Sequence, residues 1–240
     1  MTVETTLRPH WRSIELPAPR GRLVYRTAKR VLDIGLGSLL LLLLVPFALV
    51  VVAAIRLDSP GPAFFQQERV GSRRCSSGRA GTWVPTIFTL HKLRTMVHGA
   101  APSVHVERVE RYVRGETADG RGPAYKPEDD PRITRVGRVL RAWSVDELPQ
   151  LLNVVRGEMS LVGPRPVPAY EADNFSPEHL HRFATRPGMT GLWQVSGRSE
   201  LSFEEAVAHD LDYVARQSMA LDLRILFRTM TIVLRRRGAA

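Results

Sequence analysis

Apolar positions along this chain fall into one long unbroken run and a series of shorter amphipathic pieces. From Ile34 to Ile55 no residue carries a charge, and Leu39 to Leu44 is solid leucine. A helix of about 20 apolar residues is long enough to cross a bilayer core. Pro46 stands in the middle of the run, where it removes a helix hydrogen bond and crowds the preceding turn. Arg20, Arg22, Arg26, Lys29 and Arg30 precede the run, and Arg56, Arg69, Arg73 and Arg74 follow it. Basic residues beside membrane segments favour the cytoplasmic side. A kinked single span leaves one basic flank on the wrong side. A re-entrant helix bent at Pro46 keeps both flanks on one face, and the topology rule alone leaves both forms open.

The remaining pattern predicts short elements. Residues 1–20 read as a loose polar tail, and a helix starts near Leu23, with Lys29 and Asp33 spaced to pair four residues apart. Asp58-Ser59-Pro60-Gly61-Pro62 stops it. Ala63–Val70 and Ile87–Met96 read as strands around a basic loop, Arg73–Gly81. Residues 98–127 look like an exposed insertion containing a helix, Ser103–Arg114. Helices follow over Ile133–Leu140, Pro149–Val155 and Pro177–Phe183, with extended chain over Met159–Pro168 and loop and strand over Arg186–Arg198. Ser202 and Glu205 form a capping box for a helix to Arg216. Leu221–Leu234 is a basic amphipathic helix suited either to a membrane surface or to a core. The fold class expected is α+β, mostly helical with a small sheet, with an N-terminal re-entrant membrane helix and amphipathic surface helices. The division is a tail (1–20), the membrane helix (21–57) and one catalytic domain (58–240).

Charge narrows the partners. Thirty-four basic residues against 24 acidic ones leave a net charge of +10. That balance suits nucleic acid, anionic lipid or phosphorylated small molecules, and the apolar run favours lipid and phosphate over nucleic acid. Cys75 is the single cysteine, which excludes an intrachain disulfide and a cysteine metal cluster. The seven histidines show no metal-ligand spacing, and no glycine-rich dinucleotide or P-loop motif is present.

The chemistry concentrates in Arg141-Ala142-Trp143-Ser144-Val145-Asp146-Glu147-Leu148-Pro149-Gln150. Two adjacent carboxylates stand just before a helix that Pro149 would start. An aspartate there can attack phosphorus, and its neighbour can offer oxygen to Mg²⁺. A purely structural alternative is a capping box between Ser144 and Glu147. Arginines in stiff backbone form the second signal: Arg165 between Pro164 and Pro166, Arg186 before Pro187, and Arg198 after Gly197. Rigid backbone lowers the entropy cost of aiming a guanidinium at phosphate. Lys92 and Arg94 would share one side of a strand. Arg132, Arg135, Arg138 and Arg141 recur at helical spacing.

These residues resemble a known family. Lys29-Arg30-Val31-Leu32-Asp33, Lys92-Leu93-Arg94-Thr95-Met96, Asp130-Pro131-Arg132-Ile133-Thr134-Arg135-Val136-Gly137, Asp146-Glu147-Leu148-Pro149-Gln150, Met159 to Pro166 and Arg186 to Gly191 stand in the order found in bacterial sugar transferases. These are the monotopic polyprenyl-phosphate phosphoglycosyl transferases. The resemblance spans roughly residues 25 to 236 and implies an enzyme of the inner membrane, with its catalytic domain on the cytoplasmic face. It implies that Asp146 attacks a UDP-sugar, releases UMP and passes the phosphosugar to undecaprenyl phosphate, initiating exopolysaccharide or glycan assembly. Glu147 would complete the pair, with Mg²⁺ shared between the two carboxylates. Arg141, Arg165 and Arg198, with Lys92 and Arg94, would neutralise phosphates. The membrane helix would break at Pro46, although Val45 stands where the family carries serine. Membrane lipid is an implied partner, nucleic acid is not, and a homo-oligomer stays open. The competing expectations are a membrane-anchored basic regulator and an inactive assembly scaffold.

Overall fold

A computed structural model describes residues 9–17, 22–75, 81–100, 103–115, 130–197 and 201–234. Its first main element is helix α1, Leu23–Asp58, which contains the whole apolar run. At 1.5 Å per residue, its 36 residues would measure about 54 Å if straight. Pro46 lies inside the helix rather than ending it. Most of the run has no partner in the fold: Leu42, Leu43, Leu49 and Val50 are 62–72% exposed. Among the described residues this is the one helix long and apolar enough to cross a membrane.

Both ends of α1 are tied down. Near its start, Lys29 pairs with Asp222 at 2.8 Å, and Arg30 donates to the carbonyls of Val154 and Val155. Asp33 is buried and accepts from Ser160 Oγ and the Leu161 N–H. The expected Lys29–Asp33 pair is thus replaced by two separate long-range contacts. Near its end, Val51 and Ile55 pack with Ala63, Leu93 and Leu140, and Asp58 accepts from the Val136 N–H.

After α1 comes an antiparallel hairpin, β2 (Phe64–Cys75) with β3 (Thr82–Leu93), paired from Phe64↔Leu93 to Cys75↔Thr82. The hairpin is longer than the alternation predicts and absorbs Arg73 and Arg74 into a strand. A two-residue strand β1, Leu16–Pro17, pairs on the free edge of β3. Residues 9–17 are therefore not a loose tail. Trp11 is fully buried and donates to Asp173 Oδ1 at 2.7 Å. A second, parallel pair joins β4 (Ser160–Val162) to β5 (Gly188–Thr190).

Helices pack around these strands: α2 (Ser103–Val113), α3 (Arg135–Ala142), α4 (Gln150–Arg156), α5 (Ala169–Ala172), α6 (Leu192–Ser196), α7 (Phe203–Arg216) and α8 (Met219–Leu234). Within the expected insertion, α2 buries Val109 and Tyr112 against the core, with Tyr112 edge-on to Phe203. Residues 101, 102 and 116–127 of that insertion lie outside the described residues. The capping box of α7 forms as predicted, Ser202 Oγ accepting from the Glu205 N–H. Helix α8 divides its apolar residues. Leu221 and Ile225 enter the core, while Leu223, Phe227, Met230 and Leu234 stay exposed.

Candidate active site

The site is assembled where β3, α3 and the approach to α4 meet. Past Leu93 the chain runs extended, and α3 docks on it. The Thr134 N–H donates to Thr95 O at 3.1 Å, and Met96 bridges Ile133. Thr134 Oγ1 caps α3 by accepting from the Gly137 N–H. A Cβ on Gly137 would fall 2.1 Å from the Thr95 carbonyl oxygen, so only glycine permits this approach. Beyond α3, Ser144 adopts φ 55°, ψ 23°. Among the described residues it is the one non-glycine with positive φ. A side chain held there costs on the order of 1 kcal/mol or more and persists only where its surroundings impose it. The turn swings the chain into a 3-10 segment, Val145–Glu147, and Pro149 then sits at the N-cap of α4. Ser144 makes no side-chain cap bond, so the capping-box alternative for Glu147 is not realised.

Glu147 collects two cations on one oxygen. Its Oε1 accepts from Lys92 Nζ at 3.0 Å and from Arg165 at 2.8 Å, and all three side chains are largely buried. Asp146 is buried beside it and lies within electrostatic reach of Lys92 and Arg141. Burial pushes the Lys92 ammonium down, and Glu147 opposes the shift. Burial likewise pushes Arg141 down, against the pull of Asp146. Arg141 is oriented by Thr95, whose Oγ1 accepts from Nε at 2.9 Å. The resulting surface holds two carboxylates among three partly buried cations, an arrangement that can receive a diphosphate and set a carboxylate oxygen against it.

A supporting layer lies behind Arg165. Its carbonyl accepts from Arg182 at 3.2 Å, and Arg182 pairs with buried Asp210 at 2.5 Å. The backbone on either side is held by the β4–β5 pair, where a Cβ on Gly188 would meet Gly163 N at 2.0 Å. Arg69 is buried, donates to the Pro166 carbonyl, and adds to the positive field at Lys92. Sequence reasoning did not find Arg69, Thr95, Arg182 or Asp210 as parts of the site. Each is an ordinary residue inside a strand, loop or helix, and only the tertiary fold gives it a role.

The expected phosphate ligands separate in space. Lys92 and Arg165 join Glu147, and Arg141 stands beside them. Arg94 goes elsewhere, because β3 ends at Leu93 and strand alternation ends with it. Its guanidinium donates to Pro60 O at 2.6 Å and Ser59 O at 2.7 Å, closing over the end of α1. Of the helical arginine series, Arg132 pairs with Asp130, Arg135 and Arg138 are exposed, and only Arg141 turns to the carboxylates. Arg198 lies outside the described residues. No group of three His, Cys, Asp or Glu side chains among the described residues is placed to hold a metal. Mg²⁺ commonly takes one or two carboxylates and completes its shell with water and substrate phosphate, and the hard oxygens of Asp146 and Glu147 fit that pattern.

A profile of the bacterial sugar transferases matches residues 24–236, which covers the membrane helix, the hairpin and every residue of the site just described. The chain belongs to this family. Bacterial sugar transferases similar to it include the exopolysaccharide production protein ExoY of Rhizobium meliloti, 38% identical over 88% of this chain and 88% of its own length. The UDP-glucose:undecaprenyl-phosphate glucose-1-phosphate transferase of Caulobacter vibrioides is 40% identical over 95% of this chain and 75% of its own length. The UDP-galactose-lipid carrier transferase of Erwinia amylovora is 40% identical over 89% of this chain, which spans only 42% of that longer protein.

Proposed function

We propose that this sugar transferase moves a sugar-1-phosphate from a UDP-sugar to undecaprenyl phosphate, the first step of exopolysaccharide or glycan assembly. The observation that carries the reading is the buried Asp146 beside a Glu147 already held by Lys92 and Arg165. The names of relatives near 40% identity support the two substrates. In the first step a carboxylate oxygen of Asp146 bonds to the β-phosphorus, the bond from that phosphorus to the bridging oxygen breaks, and UMP leaves. In the second, a phosphate oxygen of the carrier bonds to the same phosphorus and the aspartyl oxygen departs as carboxylate. Lys92, Arg141 and Arg165 hold the diphosphate and offset the charge that gathers on it, the main demand in phosphoryl transfer. Glu147 fixes Lys92 and Arg165 in place. Mg²⁺, held by Asp146 and Glu147 when bound, would draw further charge from the phosphates.

The reaction belongs at the cytoplasmic face of the inner membrane. Lys29, Arg30 and Asp33 at one end of α1, and Ile55 and Asp58 at the other, hold to one folded domain. A helix crossing a core of about 30 Å would carry its ends to opposite sides, which one domain cannot follow. A helix that enters and leaves by one face agrees with those contacts and with basic residues on both flanks.

UMP release from a panel of UDP-sugars, with Mg²⁺ and undecaprenyl phosphate, tests the assignment. The wild type should release UMP and retain label from UDP-[β-³²P]sugar on the protein when the carrier is withheld. Asp146→Asn should lose about 10³-fold or more in rate and all of the label, as expected on removing a nucleophile. Full activity in that variant would overturn the role of Asp146.

A further inference from the structure

A second basic site lies far from the carboxylates. A cavity of about 210 Å³ opens beside the start of α1, lined by Arg22 just before the helix, by Arg26 and Arg30 within it, by Arg74 and Trp83 of the hairpin, and by Arg186. Trp83 and Lys92 are nine residues apart on β3, which at 3.3 Å per residue separates this cavity from the active site by roughly 30 Å. The two sites also sit at opposite ends of α4. The carboxylates precede its first turn, while Arg30 and Arg186 hold carbonyls at and just after its last.

Among the described residues, the positive charge lining this cavity is only partly offset. Arg22, Arg30 and Arg186 direct their hydrogen bonds to the neutral carbonyls of Val214, Ala215, Val154, Val155 and Gly157. Lys29, also in the lining, is neutralised by Asp222. Asp33 acts on Arg186 but is engaged by Ser160 and Leu161. Arg26 is half-buried, and its side chain makes no hydrogen bond or ion pair among the described residues. Burial and the charge of Arg74 both push Arg26 down, and burial, Arg30 and Arg74 do the same to Arg186. The lining also holds a buried amide nitrogen of Gln217 that lacks a hydrogen-bond partner. Several guanidiniums facing one another around a spare N–H donor make a receptor for an anion with several oxygens.

We propose that this cavity is a phosphate-binding site at the membrane boundary, taking the phosphate of an anionic lipid headgroup or a free phosphate group. Its size sets the class. It is smaller than the roughly 300–1,000 Å³ of sites for drug-sized ligands, so it suits a phosphate with a short substituent and not a nucleotide sugar. Its height favours the lipid. Arg26 and Arg30 stand eight and four residues before Ile34, about 12 and 6 Å along the helix from the start of the apolar run, at the level of headgroups. The site is independent of the transferase chemistry, and Asp146→Asn should bind there as the wild type does.

The test uses the full chain in non-ionic detergent micelles and follows its melting temperature. One arm adds phosphatidylglycerol to the micelles, with phosphatidylcholine as control. A second adds inorganic phosphate at constant ionic strength, in an Arg165→Ala background that weakens phosphate binding at the active site, so that the part of the response lost in Arg26→Glu reports on this cavity. Arg26→Glu places a carboxylate in the cavity without breaking any described hydrogen bond. It should raise the melting temperature without ligand and raise the half-saturating level of phosphatidylglycerol about tenfold or more, the scale of one lost charge-assisted contact. Arg56→Glu, an exposed charge at the other end of α1, should leave the response unchanged. Response to phosphatidylglycerol alone assigns the site to lipid, and response to inorganic phosphate alone assigns it to a soluble phosphate. No response in either arm, or an equal loss in Arg56→Glu, overturns the proposal.

Discussion

Arg94 separates two readings of one motif. Resemblance would make it a phosphate ligand, whereas the structure closes it over the carbonyls just past the end of α1. Its bonds to Pro60 O and Ser59 O are short, 2.6 and 2.7 Å, while those to Gly61 O and Ile55 O are 3.4 and 3.5 Å and count for little. Hydrogen bonds from a charged donor contribute about 1.5–3 kcal/mol each. Two give roughly 3–6 kcal/mol, and exposed Pro60 regains water when the arginine is lost, so about 3–4 kcal/mol is expected for Arg94→Ala. For a chain of this size each kcal/mol moves the melting temperature by about 2–4 °C, a fall of roughly 6–16 °C. Lysine offers one ammonium in place of the fork, so Arg94→Lys should recover less than half of the loss. Thermal unfolding in detergent, paired with KM for the UDP-sugar on the fraction that remains folded, distinguishes the two roles. A clamp lowers the melting temperature and leaves KM near wild type. An unchanged melting temperature with a KM raised tenfold would refute the clamp.

Two further predictions concern the site and its support. Ser144→Gly removes the side chain from a left-handed backbone position and should raise stability by about 1 kcal/mol in a denaturant titration, whereas Ser144→Val should lower it and slow UMP release. Burial raises the Asp210 carboxyl to about 6, against the attraction of Arg182. An acid whose folded value exceeds its unfolded one lends stability that is full below the unfolded value and lost as pH climbs through the folded one. Stability should therefore fall by up to roughly 3 kcal/mol between about pH 4 and pH 6, and Asp210→Asn should flatten that slope.

The parts of the fold legible in the sequence were those with a local cause. The membrane helix follows from an apolar run, α7 from its capping box, and the start of α4 from Pro149. Asp146 and Glu147 were not legible from spacing alone, because acids in a first helical turn are common; the ordered motifs shared with the sugar transferases singled them out. What spacing could not reveal was the partner of each charge. Lys29 and Asp33 sit at ideal helical spacing, yet one reaches Asp222 and the other Ser160. Lys92 and Arg94 alternate as strand neighbours should, but the strand ends between them. Trp11 looked like part of a loose tail because its partner, Asp173, lies 162 residues away.

That strand end has a mechanical consequence. Lys92 holds Glu147 of the carboxylate pair and Arg94 holds the chain just past the end of α1, with one residue between them. Under the proposed function, the height of the carboxylates relative to α1 is thereby set by a single backbone step. With α1 seated in the membrane as proposed, a lipid carrier whose phosphate rides at the headgroup plane would meet Asp146 at a height fixed by the protein and not by the thickness of the membrane beneath.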